Sequence, residues 1–490
     1  MNVLFLIPYA SFQYQAPWMP LGAMSIATYL HDRGFNVSIY DRSFGKKRLK
    51  TVFRQFSPDV VCISVSTTRV ADDAVFCCKA AKEAGIPVVC GGQFASVYYA
   101  QFLQKSCVDY ITIGEGELCT YHLLNALQSG EDPANVRGIA LMKDGKPFLT
   151  PAQPLADPSE LPVIDFVRFD PSKYIHSYIY CRKMLYLYTT KGCGCSCTFC
   201  TNPRFHCNSY RVRPIDDVIS EIKYLTTHYG VDGINFSDEN WYTRKKDMYE
   251  FCRRLDEEDI HIFWGCQLRV DIYSEDELQL LYDHGLRWVT FGIESGDEEM
   301  LRRLKKRTTL DQIRYTVLAC NRIGIAALSN FLIGCPDETP EQMQKTIDLV
   351  KELHSGISEV NIYTPMVGSE LFDELCEKGE CSVPEDLETA QDSIMGEYTS
   401  YRSKWIPDKE LWVVYSYFMW QQFTKKSTGK SSRPFNIALT SIRESMLNIF
   451  RMRFKDLIPG LYMAAKEFFR IFWYSHFYPD IRRKYKLYRD

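Results

Sequence analysis

The sequence predicts an α/β protein in three parts: a doubly wound parallel sheet, a second run of six βα units, and a mainly helical carboxyl-terminal region. Three observations predict it. Short apolar strands alternate with amphipathic helical stretches over residues 1 to 128, the alternation resumes at residue 184, and beyond 385 it ends. Strands separated by helices pair in parallel, because each helix carries the chain back across a face of the sheet. The boundaries fall at 1–130, 131–183, 184–378 and 379–490.

In the first part the strands are Val3 to Ile7, Asn36 to Tyr40, Val60 to Val65, Val88 to Cys90 and Tyr110 to Gly114. Each is an apolar run with helical spacing before the next. In such sheets a ligand lies beyond the carboxyl ends of the strands, where the strand order switches. Ser66-Thr67-Thr68, Gly91-Gly92-Gln93 and Gly114-Glu115-Gly116-Glu117 stand there. Glycines let backbone approach a large flat ligand, and small hydroxyls reach its polar edge. Taken alone, the pattern fits a plain flavodoxin-like domain equally well.

Residues 131 to 183 form a bridge. Asp144-Gly145 between two apolar runs predicts a hairpin within Gly138 to Thr150, and Pro151 to Pro162, with four prolines and no period, predicts a linker. From 184 the predicted strands are Met184 to Tyr188, Gly233 to Phe236, His261 to Leu268, Trp288 to Ile293, Ala326 to Ile333 and Glu359 to Tyr363. Helices fall near 214–229, 244–257, 274–284, 309–323 and 339–354. Polar residues collect at the strand ends: Ser237 to Asn240, Gln267 and Arg269, Gly292 to Ser295, and Gly334 to Glu338. Glu294 and Arg269 could serve only each other, and Gly334 with Pro336 could only form a turn. Polar residues at four successive strand ends instead fit a bound nucleoside. An aminoacyl nucleoside needs an arginine or hydroxyl for its carboxylate, acids for its ribose and bare backbone for its base.

The composition, 46% hydrophobic and 24% charged over 490 residues, is that of an ordinary globular protein with room for two or three cores. The first residues, Met1 to Pro8, lack the basic start and cleavage site of a signal peptide and read as a strand. With no such signal, 18 cysteines suit a reducing, anaerobic cytoplasm rather than a disulfide scaffold. No apolar run approaches the roughly 18 residues that span a bilayer. Residues 401 to 490 hold 18 Lys and Arg against 7 Asp and Glu, a local +11 that leaves −14 for the rest of a chain with net charge −3. Aromatics crowd the same region at Trp405, Trp412, Tyr415, Tyr417, Phe418, Trp420 and Phe423, ahead of Lys425-Lys426. A stripe of Leu461, Ala465, Phe468, Phe472 and Trp473 follows at helical spacing. A helical cap on the second domain is the simpler reading, and peripheral attachment to an anionic membrane is the alternative. The basic residues form no recognisable nucleic-acid reader, so nucleic acid is not an expected partner.

The chemistry concentrates in Thr189-Thr190-Lys191-Gly192-Cys193-Gly194-Cys195-Ser196-Cys197-Thr198-Phe199-Cys200, on the loop leaving the first strand of the second domain. Cys193, Cys197 and Cys200 are spaced C-x3-C-x2-C, so three thiolates can surround one soft metal centre, which selects an iron–sulphur cluster or zinc. A zinc knuckle would need a fourth ligand from Cys181, Cys195, His206 or Cys207, and none completes a C-x2-C pair. Three ligands on a four-iron cluster leave one iron open to a substrate or cofactor.

With its neighbours this loop resembles the signature of the radical S-adenosylmethionine (radical SAM) superfamily. The resemblance implies that Cys193, Cys197 and Cys200 hold a 4Fe-4S cluster whose open iron chelates S-adenosylmethionine (SAM), with Phe199 near the adenine and Cys195 a bystander. It implies an open (β/α)6 barrel, with Glu294 and Ser295 contacting SAM, Gly334 and Pro336 on its adenine side and Arg269 as a carboxylate partner. Placed ahead of such a loop, Pro20-Leu21-Gly22, Pro58 to Val61, Val89 to Gly92 and Gly114 to Glu117 resemble the cobalamin-binding domain of cobalamin-dependent radical SAM enzymes. Ser66, Thr67, Gly91, Gly92, Gly114, Glu115 and Gly116 are then the expected cobalamin contacts. The D-x-H-x-x-G motif that supplies an axial histidine in many cobalamin proteins is absent, since neither His31 nor His122 has an aspartate two residues before it. That implies cobalamin bound with its own base displaced and no histidine in its place, which favours nucleophilic cob(I)alamin; the same absence fits a domain that has lost the cofactor.

The expected activity is therefore methylation of an unactivated carbon, by way of a 5'-deoxyadenosyl radical and methylcobalamin. The alternatives are a radical cyclase resembling the anaerobic magnesium-protoporphyrin monomethyl ester cyclase, radical C–C coupling, and, outside enzymes, a corrinoid or electron carrier. The expected partners are a small-molecule or lipid-like substrate and an electron donor such as flavodoxin or ferredoxin.

Overall fold

A computed structural model of the chain describes residues 1–9, 18–105, 107–387, 401–424, 465–466 and 468–487. Two seven-stranded sheets organise it. Sheet A contains β1 (Asn2–Ile7), β2 (Asn36–Asp41), β3 (Val60–Ser64), β4 (Val88–Gly91), β5 (Tyr110–Thr112), β6 (Ile139–Lys143) and β7 (Lys146–Leu149) in the order 2-1-3-4-5-6-7. The strands up to β5 are parallel, in the doubly wound order 2-1-3-4-5 that places a ligand over β1 and β3. The Asp144-Gly145 hairpin forms, and both its strands join this sheet as an antiparallel edge: β6 pairs with β5, and β7 with β6. The helices Leu21–His31 and Gly116–Ser129 run together on one face.

Sheet B contains β8 (His176–Tyr178), β9 (Cys181–Leu187), β12 (Gly233–Phe236), β13 (Phe263–Leu268), β14 (Leu286–Glu294), β15 (Ala326–Ile333) and β16 (Ile357–Ile362), in the spatial order 16-15-14-13-12-9-8. A small antiparallel pair, β10 (Thr190–Lys191) with β11 (Arg211–Val212), brackets the cysteine loop. From β9 to β16 the pairing is parallel, and β8 adds one antiparallel strand ahead of the predicted run. Short polar signals start the intervening helices. Ser274, Thr309 and Thr339 each accept from the backbone three residues on, while Glu277, Gln312 and Gln342 reach back to the cap, which satisfies amides that would otherwise lack partners.

Alternation along β14 sorts the faces. Val289, Phe291 and Ile293 are fully buried against the helices, while Thr290 and Gly292 turn to the concave side. The helix Asp408–Thr424 covers the edge strand β16, with Gln422 donating to the Ser358 carbonyl at 2.9 Å, so an edge that could pair with another chain is closed. Leu411, Val413, Val414, Tyr417 and Phe418 are buried there, and Tyr485 and Leu487 return to pack beside them. The described part of the carboxyl-terminal region is thus a cap on sheet B; Lys425, Lys426 and Leu461 lie outside the described residues. No helix among the described residues is long and apolar enough to cross a membrane.

One hydrophobic core runs through both sheets. It joins Val3, Phe5 and Leu123 of the first domain to Met184, Leu185 and Leu187 of β9 through the linker residues Ile164, Phe166, Phe169 and Tyr174. Tyr174 donates to the Asp41 carboxylate at the end of β2 (2.7 Å), and the Asp165 amide donates to Thr28 Oγ1 (3.2 Å).

Candidate cofactor site

The carboxyl ends of the two sheets face each other across a cavity of about 1120 Å3, larger than the roughly 300–1,000 Å3 usual for small ligands. Sheet A contributes Ser66, Thr67, Gly91, Gly92, Gly114, Glu115 and Gly116, and sheet B contributes Tyr186, Tyr188, Ser237 and Glu239. The cobalamin contacts expected from sequence are therefore gathered in one wall. The lining glycines play two parts. Gly92, at φ +101°, lets backbone pass where a Cβ would stand 2.7 Å from the Val65 carbonyl oxygen, whereas Gly22 and Gly114 leave open space, with nothing nearer than 3.8 Å to an added Cβ. That bare backbone beside a large cavity fits a broad, flat macrocycle. The histidine on the lining is His206, not His31 or His122.

His206 is not free to bind a metal. Its Nδ1 meets Glu115 at 2.9 Å and its Nε2 meets Glu239 at 3.2 Å, so both nitrogens are committed to carboxylates. Burial alone would lower its pKa, but the carboxylates of Glu115 and Glu239, accepting from its two nitrogens, hold it up at about 9, an imidazolium at neutral pH. Burial alone would raise Glu115, yet His206, Lys191 and Arg211 hold it at about 2. Lys191, two residues before Cys193, inserts between the domains: Nζ lies 2.5 Å from Glu117 and 3.8 Å from Glu115, and Ser25 Oγ donates to Glu117 at 2.8 Å. Arg211 completes the cluster on Glu115. The Gly-Glu-Gly-Glu turn of sheet A thus grips the base of the cysteine loop.

Further groups fix that loop from below. Asp238, fully buried after β12, accepts from the amides of Thr189 (2.7 Å) and Thr190 (2.6 Å) and from both hydroxyls; burial pushes its pKa up to about 6 against those four donors. Arg213, beyond the loop, makes a two-pronged ion pair with Glu221 (2.8 and 2.9 Å) and donates to the Tyr188 carbonyl, so the loop's return limb is tied to strand β9. Cys193, Cys195, Cys197 and Cys200 are all partly exposed. Phe199 packs beside Leu304, Cys335 and Tyr363. Of the four candidates for a fourth zinc ligand, His206 is engaged, Cys181 is buried on β9 with its thiol pushed up to about 12, and Cys207 faces outward, which leaves Cys195 beside Cys193.

The expected SAM residues stand at the ends of β13, β14 and β15, off the lining of the cavity. Glu294 takes a left-handed φ of +71° where β14 shifts register, a conformation that costs a non-glycine residue energy and is common at functional sites. Glu294 and Arg269 do not serve each other. Glu294 pairs with Lys306 (2.9 Å), and Arg269 makes a fork with Asp271 (2.9 and 2.8 Å) and donates to the Lys306 carbonyl (3.1 Å). Lys306 is flanked by Lys305 and Arg307, both at positive φ, so the chain is contorted to turn it inward. Burial raises the thiols of Cys197 and Cys200, and the Lys306 ammonium opposes the rise, which favours the thiolates a cluster requires. Ser295 is buried, bonded to Thr346 (3.2 Å) and to the Asp297 amide. Gly334, at φ +74°, gives its amide to Glu338, whose pKa burial raises to about 8, and Pro336 follows in the same turn. Sequence reasoning missed Lys306 and the role of Lys191; it weighed His206 only as a zinc ligand and Asp238 only among the polar strand ends. Lys306 sits in a Lys-Lys-Arg run that looks like an ordinary solvated charge cluster.

Residues 187–350 match the radical SAM superfamily, and residues 12–124 match the B12 binding domain. The chain belongs to the radical SAM superfamily and carries a B12-binding domain ahead of the radical SAM domain. Among curated relatives, it is 28% identical to an uncharacterized methyltransferase of Pyrococcus horikoshii, over 72% of this chain and 78% of that one. It is 29% identical to the anaerobic magnesium-protoporphyrin IX monomethyl ester cyclase of Rubrivivax gelatinosus, over 78% of this chain and 71% of the relative. The fold is similar to that of the radical SAM methyltransferase TsrM from Kitasatospora setae, solved with cobalamin and a [4Fe-4S] cluster (TM-score 0.66, 20% identity, 78% of this chain and 76% of that one). It also resembles the cobalamin-dependent radical SAM enzyme OxsB (TM-score 0.68, 16% identity, 91% and 72%).

Proposed function

We propose that this protein is a cobalamin-dependent radical SAM methyltransferase acting on an unactivated carbon. The observation that carries the reading is the cavity lined on one side by the glycine-rich strand ends of sheet A and on the other by Thr190, Lys191 and Thr201, which flank the cysteine loop of sheet B. When bound, a 4Fe-4S cluster with SAM supplies a 5'-deoxyadenosyl radical, and cobalamin supplies the methyl group. Cys193, Cys197 and Cys200 hold the cluster, and Phe199 packs near the adenine. Glu294 and Lys306 offer an acid and an ammonium to the ribose and carboxylate of SAM, with Arg269 a second cation and Ser295 stiffening the strand end. Gly334 and Pro336 shape the adenine side. Ser66, Thr67, Gly91, Gly92, Gly114, Glu115 and Gly116 form the corrin wall, and the imidazolium at His206 supports cobalamin binding without a protein histidine on cobalt. Holding both cofactors in one water-poor cavity keeps a radical from side reactions.

Turnover should give S-adenosylhomocysteine and 5'-deoxyadenosine in matching amounts, because methyl transfer consumes SAM in two ways. Quantifying both products against substrate decides the reading. 5'-Deoxyadenosine without matching S-adenosylhomocysteine would instead support a cyclase or C–C coupling, in keeping with the likeness to the Rubrivivax enzyme.

The reductant we propose is of the flavodoxin or ferredoxin class, and the carboxyl-terminal region supports contact with an anionic membrane. Phe468, Phe469, Trp473 and Phe477 are exposed near one another, with Arg482, Arg483 and Lys484 close behind. In vesicle flotation the protein should rise with vesicles rich in phosphatidylglycerol and remain behind with phosphatidylcholine alone. Serine at Phe469 and Trp473 should abolish the difference; equal flotation with both lipids would count against it.

A further inference from the structure

The concave face of sheet B carries polar side chains that the fold does not use. Register places Gln267 beside Thr290, Gly292 beside Asn330, and Asn330 beside Glu359, so these residues share one face while Val289, Phe331 and Val360 turn outward into the core. Beneath them lies an aromatic floor. The Trp288 indole donates to Asn235 Oδ1 at 2.9 Å and fills the space beside Gly265, where an added Cβ would stand 2.1 Å from Nε1. Tyr178 of β8 meets its ring edge-on at 5.3 Å.

Among the described residues, the side chains of Ser237, Gln267, Thr290, Asn330 and Glu359 have no hydrogen-bond partner. Ser237, at the edge of this face, also lines the interdomain cavity. Convergent amides and hydroxyls over an aromatic base are what a site for a small polar molecule needs. Glu359 is set apart from the other carboxylates near the site. Glu115, Glu117, Glu239 and Glu294 each face a cation, whereas nothing cationic among the described residues answers Glu359. Burial, then the Glu359 charge, push the Tyr178 phenol up to about 12. Glu359 is open to solvent on this face, so its carboxylate is free to meet the cation of a bound molecule.

We propose that this face is the substrate subsite and that the substrate is a polar amine: its ammonium pairs with Glu359, and its uncharged hydrogen-bonding groups meet Gln267, Thr290 and Asn330 above Trp288. The fate of the bound molecule rests on the methyl-transfer reading; its recognition does not. SAM also carries an ammonium, and its binding is scored separately.

The test uses holoenzyme, reconstituted anaerobically, with excess SAM bearing a trideuterated methyl group. The probes are the cation-exchange-retained and flow-through small-molecule fractions of an extract of cells that make the protein. Ultrafiltration and mass spectrometry read what is retained, and the deuterium label reads what is methylated. A compound from the cation-retained fraction should be enriched at least tenfold by the wild type and not by Glu359→Gln, with Asn330→Leu weakening it, while SAM binding and cluster content stay unchanged. Enrichment without label would preserve this proposal and overturn methyl transfer. Enrichment only from the flow-through, none from either fraction, equal enrichment by Glu359→Gln, or loss of SAM binding in that variant would each overturn the amine subsite.

Discussion

Alanine at Cys193, Cys197 or Cys200 is expected to abolish both the visible absorbance of the cluster and the formation of 5'-deoxyadenosine, whereas alanine at Cys195 should leave both. Removing a thiolate takes away a covalent attachment, so the loss is complete rather than graded. The comparison with Cys195 carries the information. It lies beside Cys193, and the side chains of Arg269 and Lys306 place positive charge near it, so it has the surroundings of a ligand without the spacing of one. Iron and sulphide analysis of the four variants after anaerobic reconstitution checks the assignment. Retention of the cluster in Cys193→Ala with loss in Cys195→Ala would move the register by two residues.

Lys191→Met should destabilise the protein by about 3–5 kcal/mol, the range for removing one partner of a buried ion pair. Its ammonium, 12% exposed, lies between Glu117 and Glu115, which are 5% and 9% exposed, and methionine fills the space without answering either charge. Denaturant midpoints measure the loss, and Lys191→Arg should recover most of it. The same network gives a dependence on pH. His206 has a folded pKa of about 9 against an ordinary 6.5, so its contribution is complete below about pH 6.5 and is lost as pH rises through about 9. At roughly 1.4 kcal/mol per pKa unit, the loss is about 3 kcal/mol. Glu115 works in the opposite sense, contributing above about pH 4.5 and losing its effect as pH falls through about 2. Stability should therefore decline between pH 6.5 and 9 in the wild type and lose that slope in His206→Gln. A flat wild-type profile across that interval would mean that His206 is neutral in the folded protein.

The strands and helices of sheet B were legible because each carries its own period. Gly233 to Phe236 and Ala326 to Ile333 form with the predicted limits, and the helix after Thr339 begins where its capping box says it should. The hairpin was legible from Asp144-Gly145, but its docking on β5 was not, since edge pairing depends on a distant strand. The cysteine loop could be picked out from spacing because its cysteines sit close in sequence. The groups that hold their loop could not. Glu115 and His206 are separated by 91 residues and Asp238 from Thr189 by 49, and no local pattern records such a meeting. Ser295, marked with Glu294 by the family resemblance, shows what sequence does not record: its hydroxyl also meets Thr346 and the Asp297 amide.

The core that runs unbroken from Val3 through Phe166 to Leu187 bears on how such proteins diversify. Two domains with separate cores can be exchanged between relatives like cars in a train. Here the halves lean on a common interior, and the linker is part of its wall, so a transplanted B12-binding domain would bring an ill-fitting surface unless residues 164 to 174 travelled with it. Heat should find one cooperative melting event, not two. New specificities are therefore more accessible by point changes on the concave face of sheet B, where side chains bear little of the fold, than by shuffling whole modules.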